Sequence, residues 1–171
     1  MAAVAGLFKS AGYNVTGSDN PIYPPMSDVI SALGIKPQVG YKPENIDEAD
    51  PDFVILANAI SRIGADLKQN DKLESLLQRT IPLLSFPSAL RKFLLTDALN
   101  VVVAGTHGKT TTTSLIAHSL SEAGYQPSFL VGGAPKNFDS GFRLASKDLF
   151  VLEGDEYDTA FFDKVPKFVH Y

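Results

Sequence analysis

Residues 100–113 read Asn-Val-Val-Val-Ala-Gly-Thr-His-Gly-Lys-Thr-Thr-Thr-Thr, and this stretch decides the fold of the chain. Its β-branched start predicts a buried strand, and the glycines and the lysine after it predict a tight turn that opens into a helix. Glycines let backbone N–H groups approach an anion, and a helix start adds unpaired N–H groups and the positive end of its dipole. We therefore predict that this turn binds phosphate.

The glycine spacing is shorter than in the common phosphate loop, where four residues separate the first glycine from the Gly-Lys pair. Val103 occupies that first position here, and Gly105 is the glycine that fits, which gives Gly-x-x-Gly-Lys-Thr. Lys109 would supply a positive charge, and Thr110 would coordinate the Mg²⁺ that accompanies a nucleoside triphosphate. The alternative is a simple turn with a solvated Lys109, but the Lys-Thr pair and the preceding strand favour phosphate binding.

The composition limits the possible partners. The chain has 171 residues, 44% of them apolar, which is enough for a packed core. Its 15 basic and 19 acidic residues give a net charge of −4, which disfavours nucleic acid. Because it has no cysteine and only 3 scattered histidines, a metal would be bound through oxygen. No apolar run is long enough to span a membrane, so we expect a cytoplasmic protein without a membrane partner.

Helical and extended segments alternate along the chain, which is typical of an α/β fold with mainly parallel sheets. We predict two Rossmann-like or phosphate-loop units, residues 1–96 and 97–171, joined by a helical bridge at 86–98. The predicted helices are 1–12, 27–33, 66–79 and 110–123; the predicted strands are 14–16, 53–57, 82–84, 100–103, 128–131, 149–152 and 167–171. The acidic stretch 44–52 is expected to be a solvated connection, with a metal site as the alternative.

Both units are expected to be incomplete. The first lacks the strand and the glycine-rich turn that usually precede the first helix of a nucleotide-binding half, and the second stops within an apolar run. Missing segments of the same protein would then be its partners.

A second informative stretch, residues 150–158, reads Phe-Val-Leu-Glu-Gly-Asp-Glu-Tyr-Asp. It contains four acidic residues directly after a predicted strand. Ligands of open α/β sheets bind at the carboxyl ends of strands, so Glu153 should emerge on the same side as the phosphate loop. We predict that Glu153 and the loop share a magnesium ion. A solvated acidic turn is the alternative, and strand alternation would direct some of Asp155, Glu156 and Asp158 to solvent.

Three motifs in this order resemble the Mur ligases, the ATP-dependent amide-bond formers of peptidoglycan assembly. They are Gly-Thr-His-Gly-Lys-Thr-Thr-Thr at 105–112, Val-Gly-Gly at 131–133 and Glu-Gly-Asp-Glu at 153–156. His107 is similar to the residue of the branch that uses UDP-N-acetylmuramate. The stretches that most resemble the murein-recycling branch are 16–19, 23–26, 58–62, 137–138, 156–164 and 167–171. Gly154 replaces the usual alanine of the family, a change that we expect to be harmless.

The resemblance implies that ATP and Mg²⁺ are the cofactors and that UDP-N-acetylmuramate and the murein tripeptide L-alanyl-γ-D-glutamyl-meso-diaminopimelate are the substrates. ATP would convert the lactyl carboxylate into an acyl phosphate, which the amino group of the tripeptide would attack.

The same resemblance assigns roles to residues. Lys109 would contact the β and γ phosphates, Thr110 and Glu153 would bind magnesium, and His107 would lie near the muramate carboxylate or the γ phosphate, or else stabilise the helix start. The remaining cofactor-binding candidates of the loop are Gly105, Thr106, Gly108 and Thr111, although the later threonines of the run could simply cap the helix. On the uridine side the candidates are Asp19, Asn58 and Ser61, which could equally cap backbone groups.

Two other functions stay open at this point. One is another amide ligase of the superfamily, such as a UDP-N-acetylmuramate:L-alanine ligase or a folylpolyglutamate synthetase. The other is a non-catalytic nucleotide-binding fragment, because a chain without an interior strand and a third domain is expected to be inactive alone.

Overall fold

Helices and strands follow one another largely in the order that the sequence predicts. The computed structural model describes residues 1–57, 76, 78–133, 135–155, 158–160 and 162–171, with the backbone alone at 158 and 159. Most of the predicted helix over 66–79 lies outside the described residues. Asn58, Ser61 and Glu156 also lie outside them. No helix in the described ranges is long and apolar enough to cross a lipid bilayer.

The first unit holds short parallel strands in two separate pairs. Its elements are α1 (Ala2–Ser10), β1 (Ser18–Asp19), α2 (Met26–Ala32), β2 (Gln38–Val39), α3 (Glu44–Ala49), β3 (Val54–Leu56) and β4 (Leu83–Ser85). Strand β1 pairs with β2 and β3 pairs with β4, both in parallel. Gly12, at a φ of +93°, adopts the left-handed backbone that ends α1, as its position in the sequence predicts.

A helical bridge follows β4; the helical structure expected over 86–98 is present over 86–95. It comprises α4 (Phe86–Leu90) and a π-helical turn over Arg91–Leu95. Ser85 caps α4: its side-chain oxygen accepts a hydrogen bond from the N–H of Ser88 at 3.4 Å.

The second unit is a four-stranded sheet with the order β5-β8-β6-β7. Its elements are β5 (Leu99–Val103), α5 (Lys109–Glu122), β6 (Ser128–Leu130), β7 (Phe142–Arg143) and β8 (Leu149–Glu153). In this sheet β5 and β6 both pair with β8 in parallel, and β7 pairs with β6 antiparallel. Phe150, Val151 and Leu152 of the central strand β8 are fully buried, because a parallel strand inside a sheet is covered on both faces. The chain ends in the antiparallel pair β9 (Asp158–Ala160) and β10 (Asp163–Pro166) and a 3₁₀ turn, Lys167–Val169.

Two sequence predictions of local structure were wrong. The strand expected over 14–16 lies further on, at Ser18–Asp19, because pairing starts where the N–H of Gln38 donates to the carbonyl of Gly17 at 2.8 Å. The end of the chain, expected to be extended, contains the 3₁₀ turn, and its Lys167 is paired with Asp155 through both its side chain and its N–H. The acidic stretch 44–52, expected to be a solvated connection, contains helix α3, and Glu44, Asp47 and Glu48 on it are exposed, in agreement with that expectation.

The network around Asp163 connects β10 to the bridge between the units. Its carboxylate accepts hydrogen bonds from the hydroxyl of Ser85 at 2.6 Å and from Ser88 at 3.5 Å. His170 lies 3.0 Å from the same carboxylate oxygen through Nε2. Since Ser85 is fully buried, this network holds the end of the chain against the start of α4.

The two units share one hydrophobic core, to which α1 contributes Val4, Leu7 and Phe8. The other fully or almost fully buried members come from the bridge and from β8: Ala89, Leu90, Leu95, Phe150 and Leu152. Gly6 of the same helix faces Phe142 of β7, and a Cβ added to Gly6 would lie 2.1 Å from Cζ of that ring. The absence of a side chain at position 6 therefore permits α1 to pack on the second sheet.

Replacing Gly6 with alanine is expected to destabilise the chain, with a cost near the upper end of the roughly 1–3 kcal/mol typical of overpacked cores. This cost exceeds the gain of up to about 1 kcal/mol that alanine brings to a helix interior. Urea unfolding measures the difference. Gly17→Ala is the matched control, because a Cβ there meets nothing within 4 Å. Equal stability of the two variants would contradict the close packing of α1 on β7.

Candidate nucleotide-binding site

The predicted strand–turn–helix is present, with β5 ending at Val103 and α5 beginning at Lys109. Two glycines of the turn have positive φ angles, +148° at Gly105 and +75° at Gly108, which L side chains rarely adopt. The ammonium of Lys109 folds back over the turn and donates a hydrogen bond to the carbonyl of Gly105 at 2.6 Å. A positive charge, glycine amides and the first turn of a 14-residue helix thus meet in one loop.

The other side chains of the loop and of the helix start are exposed or make local contacts. His107 and Thr106 are exposed, and Nδ1 of His107 lies 3.2 Å from the hydroxyl of Thr106. Thr111 is also exposed. Thr113 is fully buried and donates from its hydroxyl to the carbonyl of Lys109 at 2.8 Å, so this later threonine has a structural role.

Glu153, the last residue of β8, lies beside the loop on the same edge of the sheet. In the parallel register it is the partner of Val103, and the N–H of Gly154 donates to the carbonyl of Val103 at 2.8 Å. The hydroxyl of Thr110 donates to Oε1 of Glu153 at 3.0 Å. The structure therefore brings together the threonine and the carboxylate that the sequence analysis assigned to one magnesium ion.

Glu153 has a further contact that was not predicted: the N–H of Gly132 donates to its Oε2 at 2.8 Å. A Cβ on Gly132 would lie 3.1 and 3.3 Å from the two carboxylate oxygens, and one on Gly133 would lie 3.3 Å from Cγ2 of Thr110. The two glycines thus allow the segment after β6 to approach the site. A double glycine directly after a strand of the same sheet was the sequence signal for this contact.

The oxygens of Thr110 and Glu153 are suitable ligands for Mg²⁺, which prefers carboxylate and hydroxyl oxygens, phosphates and water. In the described part of the chain no three His, Asp or Glu side chains form a metal-binding group. With one carboxylate and one hydroxyl, the protein would complete the coordination of an ion that already carries phosphate and water ligands. This donor set fits a magnesium ion bound to a nucleoside triphosphate.

At position 154, glycine fits the packing around the site. A Cβ there would lie 2.9 Å from Cβ of Phe168 and 2.9 Å from Cγ1 of Val102. Because these side chains fill the space that the methyl group of an alanine would need, glycine leaves no cavity beside Glu153.

Asp19 lies at the end of β1, in the two-stranded sheet that β1 forms with β2, and takes part in local hydrogen bonds. Its Oδ1 accepts from the hydroxyl of Tyr41 at 2.7 Å and from the N–H of Asn20 at 2.8 Å. Asn45 bridges the same region, with its amide donating to Ser18 at 3.1 Å and to the carbonyl of Gly40 at 2.9 Å. The other two candidates for the uridine side, Asn58 and Ser61, are outside the described ranges.

Loss of the Tyr41 phenolic proton is expected to lower the stability of this region at alkaline pH. Burial raises the pKa of Tyr41 to about 12 from 10.0, and the hydrogen bond to Asp19 and the charge of that carboxylate add to the rise. The folded state thus holds the phenolic proton more tightly than the unfolded state, so this stabilisation is complete below pH 10 and is lost as pH rises through about 12.

We expect Tyr41→Phe to lose less stability than the wild type between pH 10 and 12, because it lacks this titration. Urea unfolding at a series of pH values provides the measurement. Tyr125→Phe is the control at an exposed tyrosine and should keep the wild-type pH profile. Identical profiles for Tyr41→Phe and the wild type would show that folding does not raise the pKa of Tyr41.

Comparison with known proteins gives a consistent set of similarities. The family model described as "Mur ligase family, catalytic domain" matches residues 1–97, which end before β5 and the loop. The UDP-N-acetylmuramate--L-alanyl-gamma-D-glutamyl-meso-2,6-diaminoheptandioate ligase of Escherichia coli strain K12 is 44% identical over 171 residues, 100% of this chain and 36% of that protein. The UDP-N-acetylmuramate--L-alanine ligase of Rubrobacter xylanophilus is 36% identical over 92% of this chain and 33% of its own length.

A solved structure shows the same fold. The crystal structure of the UDP-N-acetylmuramate:L-alanyl-gamma-D-glutamyl-meso-diaminopimelate ligase from Neisseria meningitides matches with a TM-score of 0.90 and 40% identity, covering 100% of this chain and 54% of that chain. The chain thus spans about a third of the length of the curated relatives that it matches, 36% in the Escherichia coli protein.

Proposed function

The chain belongs to the Mur ligase family, and from this premise we propose that it carries the magnesium–nucleotide site of an ATP-dependent amide ligase. One observation carries the proposal: Glu153 is held by Thr110 at 3.0 Å and by Gly132 at 2.8 Å, at the sheet edge where the ammonium of Lys109 covers a glycine loop. A carboxylate, a hydroxyl and an ammonium in this arrangement match the needs of a triphosphate with its cation.

We propose that the complete protein joins UDP-N-acetylmuramate to the tripeptide L-alanyl-γ-D-glutamyl-meso-diaminopimelate. The support is the name of the relative that is 44% identical over this whole chain. Residues 1–96 would bind the UDP substrate, and residues 97–171 would begin the ATP-binding unit. The phosphate loop, Gly132 and Glu153 all lie in the second of these segments.

The chain's own groups would bind and orient the reactants. Lys109 would neutralise the β and γ phosphates, the amides of 105–108 would donate hydrogen bonds to phosphate oxygens, and Thr110 and Glu153 would hold the cation. When bound, magnesium ATP supplies the phosphoryl group that activates the lactyl carboxylate for attack by an amine. His107 is exposed on the loop, where it could meet either that carboxylate or the γ phosphate.

Calorimetric titration of the 171-residue chain with ATP, with and without Mg²⁺, tests the nucleotide site. We expect saturable binding that Mg²⁺ strengthens. A parallel titration with UDP-N-acetylmuramate and with folate tests the substrate class, and the muramate is expected to bind in preference. Absence of any nucleotide binding would contradict the proposed magnesium–nucleotide site.

The L-alanine ligases are the second candidate, because one is 36% identical over most of this chain. Both enzymes would use the same UDP sugar, so only the amino substrate separates them. The higher identity to the tripeptide ligase, 44%, favours the tripeptide.

A further inference from the structure

The 3₁₀ turn Lys167–Val169 is tied to the segment that directly follows Glu153. The ammonium of Lys167 forms an ion pair with the carboxylate of Asp155 at 2.5 Å. The N–H of Lys167 also donates to the carbonyl of Asp155 at 3.0 Å. The chain that leaves β8 is therefore held at Asp155 through its side chain and its backbone.

Gly154 lets the turn approach the end of β8 this closely. The N–H of Gly154 donates to the carbonyl of Val103 at 2.8 Å, which continues the pairing of β8 with β5 by one residue. A Cβ on Gly154 would lie 2.9 Å from Cβ of Phe168, the second residue of the turn. An alanine at position 154 would therefore push the turn away from the strand end.

The turn is itself anchored on the helical bridge. His170 follows the turn, and its N–H donates to the carbonyl of Lys167 at 3.1 Å, while its Nε2 lies 3.0 Å from Asp163. The carboxylate of Asp163 accepts a hydrogen bond from the fully buried Ser85 at 2.6 Å. The ammonium of Lys167 lies 5.3 Å from the ring centre of Phe86, the first residue of α4. The ammonium is thus held against the bridge and gives the strand end a fixed partner.

The ion pair is largely removed from water. The side chain of Lys167 is 14% exposed and that of Asp155 is 29% exposed. A charge in such surroundings is unfavourable unless a partner compensates it, so loss of the ammonium would drive the carboxylate of Asp155 towards water. Because Asp155 is only two residues beyond Glu153, this movement would displace the end of β8.

We propose that Lys167 is a positioning residue, which fixes the main chain after Glu153 by holding Asp155. The carboxylate of Glu153 is then kept where it meets Thr110 at 3.0 Å and Gly132 at 2.8 Å. Outer contacts that orient a metal ligand commonly raise the affinity for the metal. The inference deepens the proposed function and rests on it in one respect, because Glu153 must be a ligand of the cation.

Lys167→Met tests this role, since methionine is also long and unbranched but carries no charge. Calorimetric titrations with ATP, with and without Mg²⁺, measure the gain in affinity that the metal brings. We expect this gain to fall about fivefold, less than the roughly 10- to 100-fold typical of direct outer-shell partners, while binding without Mg²⁺ changes little. Removal of a positive charge by itself favours a cation, so the charge change cannot account for a smaller gain.

The N–H of Gly132 reports the position of the Glu153 carboxylate without any nucleotide, because it donates to Oε2 of that residue. We expect NMR to show at least about threefold faster hydrogen exchange at this N–H in Lys167→Met. The N–H of Val131, one residue earlier, donates to the carbonyl of Gly141 at 2.8 Å and should keep its rate. A general loss of stability would accelerate exchange at both amides.

Lys92→Met is the matched control for Lys167→Met. Lys92 is exposed and its ammonium lies 5.3 Å from the ring centre of Phe93, so the substitution removes the same charge and the same type of ring contact. It should behave as the wild type in both measurements.

Two further variants test the ion pair itself. Lys167→Arg keeps the charge and should retain most of the response to Mg²⁺. Asp155→Asn removes the other partner and should reproduce the loss, which keeps the proposal testable if Lys167→Met fails to fold.

The substitution Glu153→Gln, which removes the charge of the ligand itself, separates the possible outcomes. If it loses the response to Mg²⁺ while Lys167→Met and Asp155→Asn keep it, the positioning role is overturned and the proposed function stands. Wild-type exchange at Gly132 in Lys167→Met would overturn the positioning role as well. If Glu153→Gln also keeps the response, the proposed metal site fails, and this inference fails with it.

Discussion

Lys109→Ala will reduce the affinity of the chain for magnesium ATP by roughly 10- to 150-fold. Hydrogen bonds to charged groups contribute about 1.5–3 kcal/mol, and a factor of ten in affinity corresponds to about 1.4 kcal/mol. The contact of the ammonium with the carbonyl of Gly105 lies on the exposed loop, so its loss should leave the fold intact. Calorimetry measures the affinity, and thermal unfolding confirms that the variant is folded.

Lys147→Ala is the matched control for Lys109→Ala. Lys147 is exposed and precedes β8, so it lies at the opposite end of this strand from Glu153, and its loss changes the net charge by the same amount. The control should bind the nucleotide as the wild type does. If Lys109→Ala also kept wild-type affinity, the loop would not be a phosphate site.

Glu153→Gln should strongly reduce the effect of Mg²⁺ on ATP binding. The amide is nearly isosteric and can still accept hydrogen bonds from Thr110 or Gly132, but it lacks the negative charge that makes a carboxylate a good ligand for Mg²⁺. We expect the gain in affinity that Mg²⁺ brings to fall at least about tenfold, or about 1.4 kcal/mol, while binding without the metal changes little.

Glu122→Gln is the control for this charge change, because Glu122 is exposed at the far end of α5. Titrations of each variant with ATP over a range of Mg²⁺ concentrations provide the comparison. An undiminished response to Mg²⁺ in Glu153→Gln would remove Glu153 from the metal site, even if Lys109 proved essential.

The core of the candidate site could be predicted from the sequence because it follows from local patterns and one rule of topology. The β-branched run before Gly105 predicted β5, and the apolar run before Glu153 predicted β8. The carboxyl ends of parallel strands lie at one edge of a sheet, which put Glu153 beside the loop. The measured distance between Thr110 and Glu153 agrees with that expectation.

Other features depend on contacts between distant segments and could not be read from local patterns. The position of β1 depends on its pairing with Gln38, and the 3₁₀ turn at Lys167 accompanies the ion pair with Asp155. The role of Gly132 depends on how closely the segment after β6 approaches Glu153. Each of these is set by tertiary structure, which overrides weak local preferences.

The placement of α1 restricts how the molecule can flex. One side of this helix packs with Phe53 and Ile55 of the first unit, and Gly6 rests against Phe142 of the second. A rotation of one unit relative to the other about the bridge at 86–95 would break one of these two contacts of α1. The two units should consequently melt in a single calorimetric transition, and ligand exchange would have to proceed by loop movement while the units keep their relative orientation.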